Sequence, residues 1–163
     1  GRLGAGFHEE RLPVRAAAAG RRAGLEDAGR ALRYAALARL SRSGGYDKVA
    51  LGHHLDDNAE TFLLHLLRGT KAAGLAGIPP RRALAGCRAE AVRPLLALTR
   101  AETRSYCREF GLPWREDASN RDTDFTRNWV RRKLIPLMES KSPRLREHLA
   151  ALAADLRRRR PSR

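Results

Sequence analysis

Six side chains that carry charge or offer hydrogen bonds crowd into eight consecutive positions near the middle of this chain. They are His53, His54, Asp56, Asp57, Asn58 and Glu60. Carboxylates grouped in this way can orient a metal-bound phosphate or take a proton from a nucleophile. Capping a helix requires only one such residue. The cluster therefore predicts a site that handles a metal–nucleotide complex or an ionisable substrate.

The residues around this cluster predict a strand, a polar turn and an amphipathic helix. Residues 48–52 have the composition of a short buried strand, and Asp57 and Glu60 have the spacing of a capping box for the helix that follows. That helix is expected to end at Gly69. Its predicted buried side chains are Phe62, Leu63, Leu66 and Leu67. The cluster thus lies at the carboxyl end of a strand, where open α/β sheets bind their ligands.

A second polar group lies on a helix predicted over residues 125–138, with Pro136 limiting it. The group comprises Arg127, Asn128, Arg131, Arg132 and Lys133. Arg127 and Arg131 are four residues apart and so share a helix face. Paired guanidinium donors on one face can bind phosphate, and a solvated basic face is the alternative interpretation. The residues alone leave both interpretations open.

The segment 43–47 superficially matches SGGxDS, the phosphate-binding loop of PP-loop ATPases. Such a loop follows a strand and opens a helix, so that backbone amides face the anion. Here the glycines follow a helix predicted over residues 25–42 and precede the strand at 48–52, and Lys48 replaces the final serine. We interpret the segment as a helix C-cap and turn.

Strands and helices alternate up to residue 69, which predicts an α/β fold. We expect an incomplete Rossmann-like parallel sheet over residues 1–96 and a helical appendage over residues 97–163. The expected strands are at 12–17 and 48–52, and apolar segments at 75–78 and 89–95 predict a hairpin. Because two parallel strands cannot support a covered sheet, a missing N-terminal segment or a partner is expected to complete it.

Two helices of the appendage have recognisable starts. Thr99 and Glu102 have the spacing of a capping box, and this helix is expected to end near Gly111. Ser142 and Pro143 predict the start of the last helix, as its cap and its first residue.

The charge of the chain points to a polyanionic partner. Lys and Arg number 33 against 18 Asp and Glu among 163 residues, a formal charge of +15. Nucleic acid is the first candidate for a protein this basic, although an arginine-rich composition explains part of the charge. Two cysteines, Cys87 and Cys107, are too few for a disulfide framework, which favours the cytoplasm. No apolar run approaches the roughly 20 residues of a membrane helix, so no membrane partner is expected.

These motifs, in their order and spacing, resemble the tRNA(Ile)-lysidine synthetases, a family of the PP-loop N-type ATP pyrophosphatase superfamily. The resemblance implies an adenine nucleotide alpha hydrolase-like fold. The matching segments are 25–28 with Arg33 and Tyr34, 50–61, 66–69, 74–78, 93–96 and 116–120, followed by Arg127, Asn128, Arg131 and Pro136.

The resemblance implies an ATP-dependent carbon–nitrogen ligase that uses Mg²⁺ and L-lysine to convert the wobble cytidine of a CAU anticodon in tRNA(Ile) to lysidine. Cytosine O2 would attack the α-phosphorus of ATP, and the lysine amine would then attack C2 and release AMP. By the same resemblance the catalytic candidates are Asp56, Asp57 and Glu60, with Asp57 also the metal candidate. The substrate- and ATP-binding candidates are His53, His54, Arg33, Asn58, Arg127 and Asn128, and the tRNA-binding candidates are Arg131, Arg132 and Lys133.

The sequence also departs from the family pattern. It contains no strand–SGGxDS–helix segment, and Asn58 stands where glutamine is common. We therefore expect a chain that is truncated at its N-terminus and that forms little or no lysidine alone. Whether it forms a homodimer stays open. The alternatives are a 2-thiocytidine-type sulfurtransferase, which needs a cysteine cluster, a metal-dependent phosphodiesterase and a non-catalytic tRNA-binding fragment.

Overall fold

A computed structural model describes residues 4–19, 25–114 and 126–159. The resemblance segment at 116–120 and Phe125 lie outside these ranges. The helices are α1 (Val14–Ala19), α2 (Leu25–Ser43), α3 (Leu55–Leu67), α4 (Arg100–Glu109), α5 (Thr126–Trp129), α6 (Ile135–Glu139) and α7 (Leu145–Arg158), and the strands are β1 (Lys48–Ala50), β2 (Arg81–Ala83) and β3 (Glu90–Val92). The α/β class with a helical C-terminal part is confirmed.

The chain divides into two compact units. The first comprises Gly1–Val49 and Arg81–Val92, and the second comprises Ala50–Pro80 and Arg93–Arg163. Neither unit ends at residue 96, where the sequence predicts a domain boundary. That boundary stays a prediction. No helix in the described ranges is long and apolar enough to span a membrane.

The first unit begins with a helix where a strand was expected. Residues 14–19 form α1, so the strand predicted at 12–17 is wrong. The alanines at 16–19 explain the difference, because alanine has the highest helix propensity. Helix α1 packs against α2. A Cβ added at Gly29 of α2 would lie 3.2 Å from Cγ1 of Val14, so this glycine allows the two helices to approach closely.

The glycines after α2 form the predicted C-terminal turn. The N–H of Gly44 donates to the carbonyl of Leu40 at 2.9 Å, and the N–H of Tyr46 donates to Ser41 at 2.9 Å. Gly45 has a φ of +66°, which is the left-handed conformation that glycine adopts at helix ends. The segment therefore ends a helix and does not form a phosphate-binding loop.

A three-stranded sheet in the order β1-β3-β2 belongs to the first unit, except that Ala50 at the end of β1 enters the second. Strands β2 and β3 form an antiparallel hairpin in which Arg82 pairs with Ala91. The predicted hairpin is thus confirmed for β3, but its partner is not the segment 75–78, because a 3₁₀ helix occupies Ala72–Ala76. The prediction of a buried β1 is wrong, since this strand lies at the edge of the sheet and Lys48 and Ala50 are exposed.

The core of the second unit packs α3 against α6, α7 and the turn before α6. Its buried members are Ala59, Leu63, Leu64, Val130, Ile135 and Leu145. Phe62 and Leu63 are buried as predicted, whereas Leu66 and Leu67 are 52% and 55% exposed. These two leucines belong to the last turn of α3, beyond the part of the helix that meets the core.

Two predicted helix limits in this unit are corrected. Pro136 does not end its helix, because a π-helical turn over Val130–Leu134 precedes it and the N–H of Ile135 donates to the carbonyl of Val130. The wider turn accommodates a proline, which lacks an N–H and crowds the preceding α-helical turn. Helix α7 begins at Leu145 and not at Ser142, whose carbonyl instead accepts the N–H of Leu145 at 2.9 Å.

Candidate functional site

The polar cluster at residues 53–60 lies at the N-terminus of α3 in the second unit. His54 is the N-cap, and the capping box is formed by His54 and Asp57, not by Asp57 and Glu60 as predicted. The N–H of His54 donates to Oδ2 of Asp57 at 3.1 Å, and Nδ1 of His54 accepts the N–H of Asp57 at 3.3 Å. This reciprocal pair fixes the Asp57 carboxylate at the first turn of the helix, where the helix dipole favours a negative charge.

Asp56 connects the start of α3 to two other helices. Its Oδ2 accepts the backbone N–H of Arg100, the first residue of α4, at 2.8 Å. Its Oδ1 lies 3.2 Å from Nε of Arg146 on α7, and Arg146 also pairs with Glu139. The Asp56 carboxylate, which is 17% exposed, therefore joins three helices, and its catalytic role stays a prediction.

Helix α4 itself starts with the predicted capping box. Glu102 accepts the N–H of Thr99 at 2.7 Å, and Thr99 Oγ1 accepts the N–H of Glu102 at 3.1 Å. The backbone and side-chain hydrogen bonds from Thr99 hold the pKa of Glu102 below its ordinary value.

Glu60 is the centre of a buried ion cluster that the sequence did not reveal. Its side chain is only 1% exposed. Nε and Nη2 of Arg131 donate to its two oxygens at 2.5 and 3.0 Å, and Nε of Arg127 donates at 3.1 Å. The shared face of Arg127 and Arg131 was a usable signal, but nothing in the sequence identifies which carboxylate meets that face.

The same two arginines approach Asp57 more loosely. Nη2 of Arg127 and Nη2 of Arg131 lie 3.7 and 3.8 Å from Oδ1 of Asp57, which is too long for hydrogen bonds. The Asp57 side chain is 15% exposed. Asp57 is thus a fixed carboxylate, near two guanidinium groups, with one oxygen that is not held tightly by them. Such an oxygen can accept a substrate ammonium or contribute to a metal–phosphate complex.

Asn58, predicted to bind substrate, has a structural contact. It is 4% exposed, and its Oδ1 accepts the N–H of Ile78 at 2.7 Å. This hydrogen bond ties α3 to the segment after the 3₁₀ helix, where Gly77 has a φ of +60°. A contact between Asn58 and a substrate stays a prediction.

We expect Gly77→Ala to be clearly more destabilising than Gly69→Ala. Both glycines have left-handed φ values, +60° and +68°, so both variants carry backbone strain of about 1 kcal/mol. A Cβ at Gly77 would in addition collide with Oδ1 of Asn58 and lie 3.0 Å from Cβ of Ala153, whereas nothing lies within 4 Å of one at Gly69. We expect about 2 kcal/mol or more of further loss at Gly77 in urea unfolding, because a buried hydrogen bond is also broken. Equal losses for the two variants would contradict the packing described for Asn58.

The remaining candidate residues are distributed over both units. Asn128 is 8% exposed beside Arg127, and His53 is half-buried. Arg132 and Lys133 are exposed on the π-helical turn, as a surface that contacts phosphate requires. Arg33 is exposed on α2 in the first unit. Their contacts with ATP or tRNA stay predictions.

The side chains around Asp57 suit a metal ion only when the bound substrate supplies most of its ligands. Across the described ranges, no group of three or more His, Cys, Asp or Glu side chains is placed to hold a metal ion. Mg²⁺ that is carried by a nucleotide needs one or two protein carboxylates and takes its other ligands from phosphate and water. The residues present fit this second arrangement, and Asp57 as the protein ligand stays a prediction.

Comparison with known proteins gives the family. A family model described as a PP-loop domain matches residues 7–138. The chain belongs to this PP-loop domain family. Among solved structures it is similar to the U34-tRNA thiolase NcsA from Methanococcus maripaludis with its 4Fe–4S cluster, at a TM-score of 0.59 and 17% identity over 80% of this chain and 43% of that one. At this identity the likeness shows the fold alone.

Curated relatives are more similar in sequence. A tRNA(Ile)-lysidine synthase of Dehalococcoides mccartyi is 42% identical over 154 residues, which cover 93% of this chain and 33% of that protein. A tRNA(Ile)-lysidine synthase of Thermus thermophilus is 43% identical over 152 residues, covering 93% of this chain and 28% of that protein. The chain thus spans about a third of the length of these relatives.

Proposed function

We propose that this chain is part of a tRNA(Ile)-lysidine synthase, an ATP-dependent carbon–nitrogen ligase that attaches L-lysine to C2 of the wobble cytidine of tRNA(Ile) in the cytoplasm. The relatives that are more than 40% identical over most of this chain support the proposal. The structural observation that carries it is the Asp57 carboxylate, which is fixed by the capping box, partly exposed, and only loosely approached by Arg127 and Arg131. A homodimer stays a prediction.

The chemistry of lysine transfer matches the two oxygens of Asp57. Oδ2 is held by the N–H of His54, so the carboxylate keeps its orientation. Oδ1 accepts the ε-ammonium of the incoming lysine, and the carboxylate then takes the proton that the amine must lose before it attacks C2. ATP supplies the adenylyl group that activates cytosine O2 and leaves as AMP.

Arg127 and Arg131 act on the phosphate groups in the same reaction. Their guanidinium groups are held by Glu60 and stay 27% and 18% exposed. Pre-positioned guanidinium groups stabilise the negative charge that develops on a phosphate leaving group. In this proposal Glu60 positions the two arginines, and the catalytic role that the resemblance implies for it stays a prediction. Arg127 stays the candidate for the phosphate side together with Asn128.

The alternatives have less support in this chain. A sulfurtransferase of the 2-thiocytidine type needs several cysteines, but the sequence has only two, one in each unit. A phosphodiesterase would bind its metal directly at the His/Asp cluster. The described side chains of that cluster are not arranged as such a site, and its aspartates are paired with arginines. The third alternative, a fragment that binds tRNA without catalysis, is distinguished by the test below.

The proposal is tested with a chimera. The matching segment of the Thermus thermophilus relative is replaced by the 152 residues of this chain that align with it. The chimera is then incubated with labelled lysine, ATP and a tRNA(Ile) transcript with a CAU anticodon. We expect labelled tRNA only when ATP is present and only when the wobble base is cytidine, with a uridine transcript as the control.

The 163-residue chain is assayed in parallel, and we expect little or no product from it, because its sequence contains no strand–SGGxDS–helix loop to hold a polyphosphate. A chimera that melts cooperatively and binds tRNA, but transfers no lysine, would refute the proposed function and leave tRNA binding without catalysis.

A further inference from the structure

An open surface cavity of about 380 Å³ lies in the first unit and is lined by residues of α2, of β2 and of the segment after β2. Its described lining combines four exposed alanines with the polar side chains of Asp27, Arg30, Tyr34 and Arg82. The volume falls within the range of small-ligand pockets. None of these residues contributes to the Asp57 site, which belongs to the second unit.

Two arginines from different elements converge on one aromatic ring in this cavity. The guanidinium carbon of Arg30, four residues before Tyr34 on α2, is 5.1 Å from the centroid of the Tyr34 ring. That of Arg82 on β2 is 6.0 Å from the same centroid. Cation–π attraction holds both side chains in place. Both guanidinium groups are positively charged, and among the described residues of the lining only Asp27 is acidic.

We propose that this cavity binds one nucleotide of single-stranded RNA, with its phosphodiester between Arg30 and Arg82. The planar forks of two arginines match the paired oxygens of a phosphodiester. Bases stack on guanidinium planes, and the exposed side chains of Ala31, Ala35, Ala83 and Ala85 offer apolar contact to a base or ribose. An anion here also offsets the positive charge of both arginines.

Asp27 favours a ribonucleotide over a bare phosphate. A carboxylate repels both anions, and the more highly charged free phosphate more strongly, but it accepts hydrogen bonds from the hydroxyls that only the ribose supplies. The formal charge of +15 would attract RNA to the whole surface. The cavity would then hold one nucleotide of the strand in a defined place. The inference rests on the proposed function only in taking RNA as the substrate class.

The test compares two neighbouring arginines of β2. Arg82 lines the cavity, whereas Arg81 is also exposed but is not among the lining residues. Binding of a fluorescein-labelled single-stranded RNA of about 10 nucleotides is measured by anisotropy, at several salt concentrations between about 50 and 200 mM, for the 163-residue chain and its variants. We expect Arg82→Gln to weaken binding about tenfold and to reduce the slope of log Kd against log salt by about one. Arg81→Gln, with the same loss of charge, is expected to weaken binding less than about twofold.

Tyr34 supplies a second, independent readout. Tyr34→Leu removes the ring that holds both guanidinium groups and is expected to weaken RNA binding about tenfold, whereas Tyr34→Phe keeps the ring and most of the affinity. Equal effects of Arg81→Gln and Arg82→Gln would overturn the proposal even if the tyrosine variants unfold. Lysine transfer by the chimera reports on the proposed function separately, so an inactive chimera with an Arg82-specific loss of RNA binding would leave the cavity proposal standing.

Discussion

Replacing Glu60 with glutamine is expected to lower the free energy of unfolding of the chain by about 3 kcal/mol. The side chain of Glu60 is 1% exposed and accepts hydrogen bonds from Arg127 and Arg131. Glutamine fills the same volume but removes the negative charge that lies closer to both guanidinium groups than Asp57 does. This loss of stability is at the lower end of the range for breaking a buried ion pair, because both arginines keep some contact with water. Urea unfolding followed by circular dichroism measures it.

Two further variants control this result. Glu147→Gln makes the same change at an exposed position of α7 and is expected to alter stability by less than about 0.5 kcal/mol. Combining Glu60→Met with Arg127→Met and Arg131→Met removes all three charges and is expected to recover much of the lost stability, since a buried ion cluster can be replaced by apolar side chains of similar volume. A loss for Glu60→Gln no larger than that for Glu147→Gln would show that the cluster does not stabilise the fold.

The second large effect separates the two aspartates. In the chimera, Asp57→Asn is expected to reduce lysine transfer by about 100-fold or more, because an amide neither attracts the ammonium nor takes its proton. Its stability is expected to change by less than about 1 kcal/mol, since Oδ1 of asparagine can still accept the N–H of His54 and keep the capping box. The measurements are the initial rate of labelled lysine incorporation and the melting temperature.

Asp56→Asn should show the reverse pattern. Its carboxylate holds the N–H of Arg100 and the guanidinium of Arg146, so we expect a loss of about 1–2 kcal/mol of stability and a reduction in rate of less than about tenfold. If well-folded Asp56→Asn and Asp57→Asn chimeras are equally inactive, the assignment of lysine binding to Asp57 alone is wrong.

Local signals predicted those parts of the fold that depend on neighbouring residues. The helix C-cap at Gly44 and Gly45, the capping box of Thr99 and Glu102, and the body of α2 follow from backbone chemistry within a few positions. The errors arose where local preferences conflict. The alanines at 16–19 favour a helix in the segment that was predicted as a strand. The π-helical turn at 130–134 allows the helix to continue through Pro136. In the site, the spacing of Asp57 and Glu60 suggested a capping box, but His54 supplies the cap.

The amino-acid sequence alone determined that this is an α/β protein of the PP-loop kind, with a crowded polar segment at the start of a helix and arginines on a shared helix face. Such features are periodicities and motifs, and they depend on residues that are close together along the chain. Only the tertiary structure decided that Glu60 is buried as the counter-charge of Arg127 and Arg131, that Asp56 joins three helices, and that Asp57 keeps a loosely held oxygen. These roles depend on contacts between residues more than 40 positions apart, and which carboxylate meets which cation is set by how the helices pack.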